Sequence, residues 1–221
     1  MSGRREVFVT GGTGYLGRRL LPALLARGHG VRALARPTSV GRIPPGCGRV
    51  EGDALRAESF AHEVAPADTL VHLVGVSHPA PWKARLFREV DRASVEASLA
   101  AAEAAGIGHF VYLSVARPAP VMRAYQAARA GCEGAIAASG VPATFLRPWY
   151  VLGPGHRWPV LLVPLYALAA RLPRSRETAL RLGLVRLREM IAALVEAVEH
   201  PPRGVRVVEV PEIRRLAGYL A

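Results

Sequence analysis

Residues 6–17, EVFVTGGTGYLG, constrain the fold of this chain more than any other stretch. A short β-rich run, Glu6–Thr10, ends in Gly11-x-x-Gly14-x-x-Gly17. A helical repeat of Leu16, Leu20 and Leu24, with Leu21 and Leu25, follows at once and stops at Gly28. The first glycine permits a tight turn, the second lets backbone approach a bound group, and the third lets helix and strand pack closely. A helix that opens from such a turn points free N–H groups and its positive dipole end at whatever sits there, which suits a pyrophosphate. The strand–turn–helix context therefore predicts a dinucleotide-binding loop made of Gly11, Thr13, Gly14, Tyr15, Leu16 and Gly17. Pro22, inside the helix, is expected to bend it or loosen its first turns.

The chain then keeps alternating strand and helix. Strands are predicted over Val31–Ala35, Arg49–Glu51, Thr69–Val74, His109–Ser114 and Ala143–Arg147, and helices over Ser59–Val64, Arg88–Ala105 and Ala124–Ser139. Pro37–Gly48 reads as a loop where a helix could have stood. The runs TLVHLV and HFVYLS are nearly continuously apolar, as strands buried on both faces are. The expected class is α/β, a doubly wound parallel sheet with right-handed crossovers, over residues 1–155. Residues 156–221 are expected to form a small C-terminal cap that completes a substrate cleft. It would hold an apolar helix (160–172), a helix near Leu187–Glu199 and a strand, Val205–Val210.

Composition limits the partners. Of 221 residues, 29 are Lys or Arg against 17 Asp or Glu, a formal charge of +12, and Lys83 is the one lysine. The arginines are scattered and no aromatic-interleaved basic stripe appears, so nucleic acid is not an expected partner. Two cysteines, Cys47 and Cys132, are too few for a disulfide framework, and a reducing cytoplasm is the simplest setting. The N-terminus lacks the apolar core of a signal peptide. The apolar stretch between Pro159 and Pro173 is shorter than the roughly 20 residues of a membrane span and is broken by Pro164, which leaves peripheral contact open. No metal site is expected from His72, His78 and His109. His72 reads as a buried, hydrogen-bonded side chain, His78 as a cleft residue and Cys132 as a buried structural thiol.

Thr10–Gly17 resembles the TGxxGxxG motif of the extended and atypical short-chain dehydrogenases/reductases, and further matches follow in order. They are Gly52-Asp53, Leu73-Val74-Gly75, Tyr112-Leu113-Ser114, and Leu146-Arg147-Pro148 followed by Gly153-Pro154-Gly155. Together they cover roughly residues 5–155. The resemblance, which extends to NAD-dependent epimerase/dehydratase-like and NmrA-like proteins, implies a Rossmann fold and a nicotinamide dinucleotide. It places Asp53 at the adenine, Leu73, Val74 and Gly75 along the adenine and ribose pocket, and Pro148 beside the nicotinamide. Asp53 reads equally as an N-terminal helix cap. Arg36 stands where NAD sites carry an acid. A guanidinium there can grip a 2′-phosphate, with Thr38 and Ser39 as further donors, so NADP is expected over NAD.

The family's chemistry uses a Ser at a strand end and a Tyr-x-x-x-Lys helix. Here Ser114 and Tyr125 occupy those places, but Arg129 replaces the lysine. Arginine keeps the charge one helical turn from the phenol, yet its planar fork is larger and cannot lose its proton. The catalytic set implied is Ser114, Tyr125 and Arg129, with Arg129 also at the nicotinamide ribose. His78, Trp149 and Tyr150 would line a substrate pocket that Trp158, Leu161 and Tyr166 make apolar. The resemblance thus implies an NADP-binding oxidoreductase acting on a hydrophobic carbonyl, enone or quinone-like small molecule. The alternatives are a non-catalytic NAD(P)-binding redox sensor or accessory subunit, and an epimerase or dehydratase with retained cofactor. A homodimer through helices 88–105 and 124–139 fits the same resemblance.

Overall fold

In a computed structural model, which describes residues 3–76, 79–155 and 176–220, the predicted strands pair into one parallel sheet. The strands are β1 (Glu6–Thr10), β2 (Gly30–Ala35), β3 (Gly48–Glu51), β4 (Thr69–His72), β5 (His109–Leu113), β6 (Ala143–Arg147) and β9 (Val205–Glu209). Their spatial order is β3-β2-β1-β4-β5-β6-β9, so the order reverses between β1 and β4. That reversal opens a crevice at the carboxyl ends of the strands, where ligands of such sheets bind. The central strand β4 is buried along its whole length, and its neighbour β5 nearly so.

Each face of the sheet carries its own core. On one, α1 (Gly17–Ala26) and α5 (Leu187–Glu199) bury Leu20, Leu24, Leu194 and Val198. On the other, α2 (84–105) and α3 (Arg123–Ala138) bury Val95, Leu99, Ala102 and Ile136 with Phe60 and Phe110. Helix α1 runs through Pro22 to Ala26. Helix α2 starts earlier than its apolar pattern suggests, and Phe87–Arg92 within it is π-helical before Ala93–Ala105 resumes the α-form. Gly106, at φ 67°, ends it in the left-handed conformation that glycine adopts without penalty. The expected helix 59–64 is instead two 3₁₀ turns, Ala57–Ser59 and Ala61–Glu63. Its Ser59 hydroxyl bonds the Arg56 carbonyl (2.7 Å), a local bond that competes with helix.

Residues 187–209 do not stand apart as a cap. Helix α5 packs on the sheet beside α1, and β9 extends the sheet by pairing with β6 from Ala143↔Val205 to Arg147↔Glu209. Burial decides this: α5 is apolar on most of its circumference and needs a sheet face rather than a cap surface. A separate small parallel pair joins β7 (Tyr150–Leu152) to β8 (Leu184–Arg186); α4 (Arg176–Arg181) precedes β8, and α6 (Val210–Arg215) packs against both. The expected helix 160–172 lies outside the described residues.

Candidate functional site

The glycine turn is shaped by contact as well as by conformation. Gly11 has φ 77°, and a Cβ there would come within 2.8 Å of the Leu73 carbonyl carbon, so the backbone leaving β4 passes too close for any side chain. A Cβ on Gly17 would overlap the Gly11 and Gly12 carbonyl oxygens. Gly14 N–H donates to Gly11 O (3.0 Å), closing the turn. Leu16, at the N-cap of α1, offers no side-chain cap, which leaves the helix end open to an anion.

Two cavities meet at this turn and share Gly11, Gly14, Leu73 and Gly75. The first, about 430 Å³, is also lined by Thr13, Arg36, Ser39, Asp53 and Val74. The second, about 370 Å³, is lined by Tyr15, Leu16, Gly17, Leu113, Ser114, Tyr125, Arg129, Pro148, Trp149 and Tyr150. The expected residues of the glycine turn, Arg36, Ser39, Asp53, Leu73–Gly75, Ser114, Tyr125, Arg129 and Pro148–Tyr150 therefore border one crevice, Thr38 lines neither cavity, and His78, Trp158, Leu161 and Tyr166 lie outside the described residues. Among the described residues no group of three or more His, Cys, Asp or Glu could hold a metal.

Placement and role differ at several of these positions. Asp53 Oδ1 accepts the Leu55 N–H (3.0 Å), so its carboxylate holds a turn at the cavity wall. Arg36 is exposed at the rim, and the Ser39 N–H and hydroxyl both bond its carbonyl (2.8 and 3.2 Å). That spends the Ser39 donor which the sequence offered to a phosphate. Ser114 is buried and donates to Glu133 Oε1 at 2.5 Å. Glu133, itself buried, also accepts from Arg147 Nε (2.9 Å) and pairs with Arg117. Burial alone would raise its pKa, but these donors together hold the carboxylate below the usual range.

Arg129 is more tightly engaged than the family pattern implies. Its Nη2 pairs with Asp91 Oδ1 at 2.7 Å, and its Nη1 donates to the Leu113 carbonyl (2.9 Å) and the Tyr112 hydroxyl (3.1 Å). The guanidinium lies 5.2 Å from the centre of the Tyr125 ring. Both partners of the ion pair are buried, at 5% and 0% side-chain exposure. Burial pushes the Asp91 pKa up, against the pull of Arg129. Gly75 makes room for the pair, since a Cβ there would overlap Nη2. The π-helical turn carries Asp91, and Phe87 of the same turn packs against Tyr125 at 5.0 Å between ring centres.

Asp91 and Glu133, the buried partners of Arg129 and Ser114, are not among the residues expected from the sequence. Each carried a signal: both are acids on the buried face of a helix, Asp91 in step with Phe87, Val95 and Ser98, Glu133 with Gln126, Arg129 and Ile136. An acid in such a place demands a buried partner. His72 is buried as expected, with Nδ1 2.9 Å from Thr10 Oγ1 and 3.0 Å from Ser98 Oγ, and burial lowers its pKa to about 3. Cys132 is buried, and burial raises its pKa.

A family described as NAD(P)H-binding matches residues 11–157. The chain is 30% identical over 217 residues to a ceramide reductase of Caulobacter vibrioides, covering 96% of this chain and 66% of that protein. It is 29% identical over 195 residues to a 2-alkyl-3-oxoalkanoate reductase of Stenotrophomonas maltophilia, covering 77% of this chain and 57% of that one. The chain thus spans two thirds or less of these curated relatives. Among solved structures, the NAD+ complex of the Bordetella bronchiseptica enzyme WbmH superposes with a TM-score of 0.69 at 20% identity, covering 92% of this chain and 75% of that chain. A UDP-galactose 4-epimerase superposes with a TM-score of 0.68 at 18% identity, over 95% of this chain and 81% of that chain. These likenesses are of fold.

Proposed function

The chain belongs to the NAD(P)H-binding proteins of the atypical, epimerase-like short-chain dehydrogenase/reductase family, and we propose that it is an NADP(H)-dependent reductase of an apolar carbonyl or quinone-like small molecule. The observation that carries this reading is the continuity of the two cavities across Gly11 and Gly75, with the Tyr125 phenol bordering the second. A dinucleotide fits the residues present: the backbone cradle at Gly11–Gly17 tolerates no added Cβ at its ends, and the α1 N-terminus is uncapped by side chains. Bound there, it would supply a hydride at its nicotinamide ring.

The chain's own residues would do the rest. The N–H groups of the turn hold the pyrophosphate, and Arg36 takes the 2′-phosphate in place of the acid that would repel it. Tyr125 gives its phenolic proton to the substrate oxygen. Ser114, whose hydrogen is directed to Glu133, turns its oxygen lone pairs rather than its proton to the cavity. Leu113, Val115, Trp149 and Val151 form an apolar wall that excludes water and suits an apolar substrate. Relatives named as reductases of ceramide and of a 2-alkyl-3-oxoalkanoate support that substrate class.

A second reading, a dinucleotide-binding protein without turnover, draws support from Arg129. Its Nη groups are spent on Asp91, Leu113 and Tyr112, which leaves less of the guanidinium for ribose or phenol. Thermal melting separates the cofactor part of the proposal from its rivals. NADPH at about a hundred times its Kd should add about 2.7 kcal/mol, roughly 5–11 °C in Tm. An equal shift with NADH would overturn the role given to Arg36, and no shift with either would overturn the dinucleotide site.

A further inference from the structure

Trp82 is 84% exposed, far more than any other large hydrophobic side chain among the described residues. It does not stand alone. Leu86, one helical turn on, is 41% exposed, and Val121 is 55% exposed. Two contacts bring these segments to one rim. Phe87, next to Leu86, packs on Tyr125 at the start of α3. The buried Gln126 holds the loop before α3 in place: its amide group accepts from Ala119 N–H (2.9 Å) and donates to the Ala119 and Val121 carbonyls (2.9 and 2.6 Å). Met122 follows at φ 61°, a left-handed conformation that a non-glycine residue holds at a cost. The loop is thus pinned with Val121 outward. Pro79 and Tyr125 of the same two segments line the second cavity, so the rim borders its mouth.

Cations predominate around this rim. Residues 79–88 and 115–128 hold five Lys or Arg and no Asp or Glu. Arg117 turns inward to Glu133, and Arg85 is paired with Glu89 from the next turn (2.5 Å), while Arg88 and Arg123 are exposed. The whole chain, these residues included, carries a formal charge of +12. An amphipathic indole beside aliphatic side chains and cations matches the boundary between headgroups and acyl chains of an anionic bilayer. We propose that the rim formed by Trp82, Leu86 and Val121 docks reversibly on an anionic lipid surface, which sets the mouth of the second cavity at the bilayer boundary. The surface stands on its own observations and does not depend on the reaction assigned above.

Sedimentation with vesicles of phosphatidylglycerol and of phosphatidylcholine tests this with the whole chain. The protein should partition to the anionic vesicles, release at high salt, and lose about tenfold or more of its partition as Trp82→Ser. Tryptophan emission should shift to the blue on binding in the wild type and not in Trp82→Phe/Leu86→Ser. Because these side chains are exposed, the variants should keep the wild-type Tm and NADPH shift. Equal binding to both vesicle types, no binding, or unchanged binding by Trp82→Ser overturns the proposal. So does a dimer in solution that Trp82→Ser abolishes without any vesicle binding, which would assign the rim to a second copy.

Discussion

The buried pair of Asp91 and Arg129 should respond asymmetrically to losing either member. Asp91→Ala strands a guanidinium that is 5% exposed and keeps the Leu113 carbonyl and the Tyr112 hydroxyl as hydrogen-bond acceptors and the Tyr112 and Tyr125 rings as neighbours. An uncompensated buried charge costs about 3–5 kcal/mol, which in a chain of this size lowers Tm by about 6–20 °C. That cost should not vary between mild acid and mild alkali, because a guanidinium does not titrate there. Arg129→Leu leaves the opposite charge, and a carboxylate can escape by taking a proton. Burial already pushes the Asp91 pKa up, and removing Arg129 removes the attraction that opposes this. The folded protein then holds a proton that the unfolded chain has given up. Stability of Arg129→Leu is therefore full below the ordinary Asp pKa near 4. It falls as pH rises from there to the raised folded-state value, by at most about 1.4 kcal/mol per pH unit. The double variant Asp91→Leu/Arg129→Leu should recover much of the loss. Urea melts of the variants across pH read all three. A cost for Asp91→Ala below about 1 kcal/mol, or the same pH slope in both single variants, would refute the reasoning.

Other consequences are simpler. Gly17→Ala should abolish the NADPH-induced Tm shift and destabilise the fold, because its Cβ would overlap two carbonyl oxygens of the turn. Ser114→Ala should cost about 1.5–3 kcal/mol in urea melts, the range for a hydrogen bond to a charged group, given its bond to Glu133. Glu199 is held by Arg27, His29 and Tyr219, which take its pKa down to about 2 against burial. Its contribution is present above the unfolded value near 4.5 and is lost as pH falls toward 2, so Glu199→Gln should flatten the acid limb of the stability curve. Arg129→Lys should retain or raise reductase turnover; a loss of turnover with NADPH binding intact would make the arginine itself a requirement.

Much of the scaffold was legible because its signals are local. Apolar runs such as TLVHLV mark strands buried on both faces, and the spaced glycines mark a turn whose Gly14 and Gly17 are constrained by the Gly11 and Gly12 carbonyls within it. What was not legible depends on distant partners. Val205–Val210 reads as a cap strand, since nothing in its own residues says that Val205–Glu209 pairs with β6. The π-helical turn at Phe87–Arg92 leaves no mark in the apolar period, yet it carries the acid that answers Arg129. The substitution of arginine for lysine was plain in the sequence. Its meaning required knowing that the guanidinium turns to Asp91 and Leu113, just as the meaning of Ser114 required Glu133, nineteen residues away.

The central claim is that this crevice binds a reduced nicotinamide dinucleotide and that Tyr125 passes a proton to an apolar substrate. Its most direct test is single-turnover oxidation of bound NADPH, followed by the cofactor's absorbance, with a hydrophobic ketone or quinone, in the wild type and in Tyr125→Phe. The account predicts oxidation in the wild type and a loss of about a hundredfold or more in Tyr125→Phe, with NADPH affinity unchanged. Equal rates in the two proteins, or tight NADPH binding with no oxidation by any such substrate in the wild type, would contradict it.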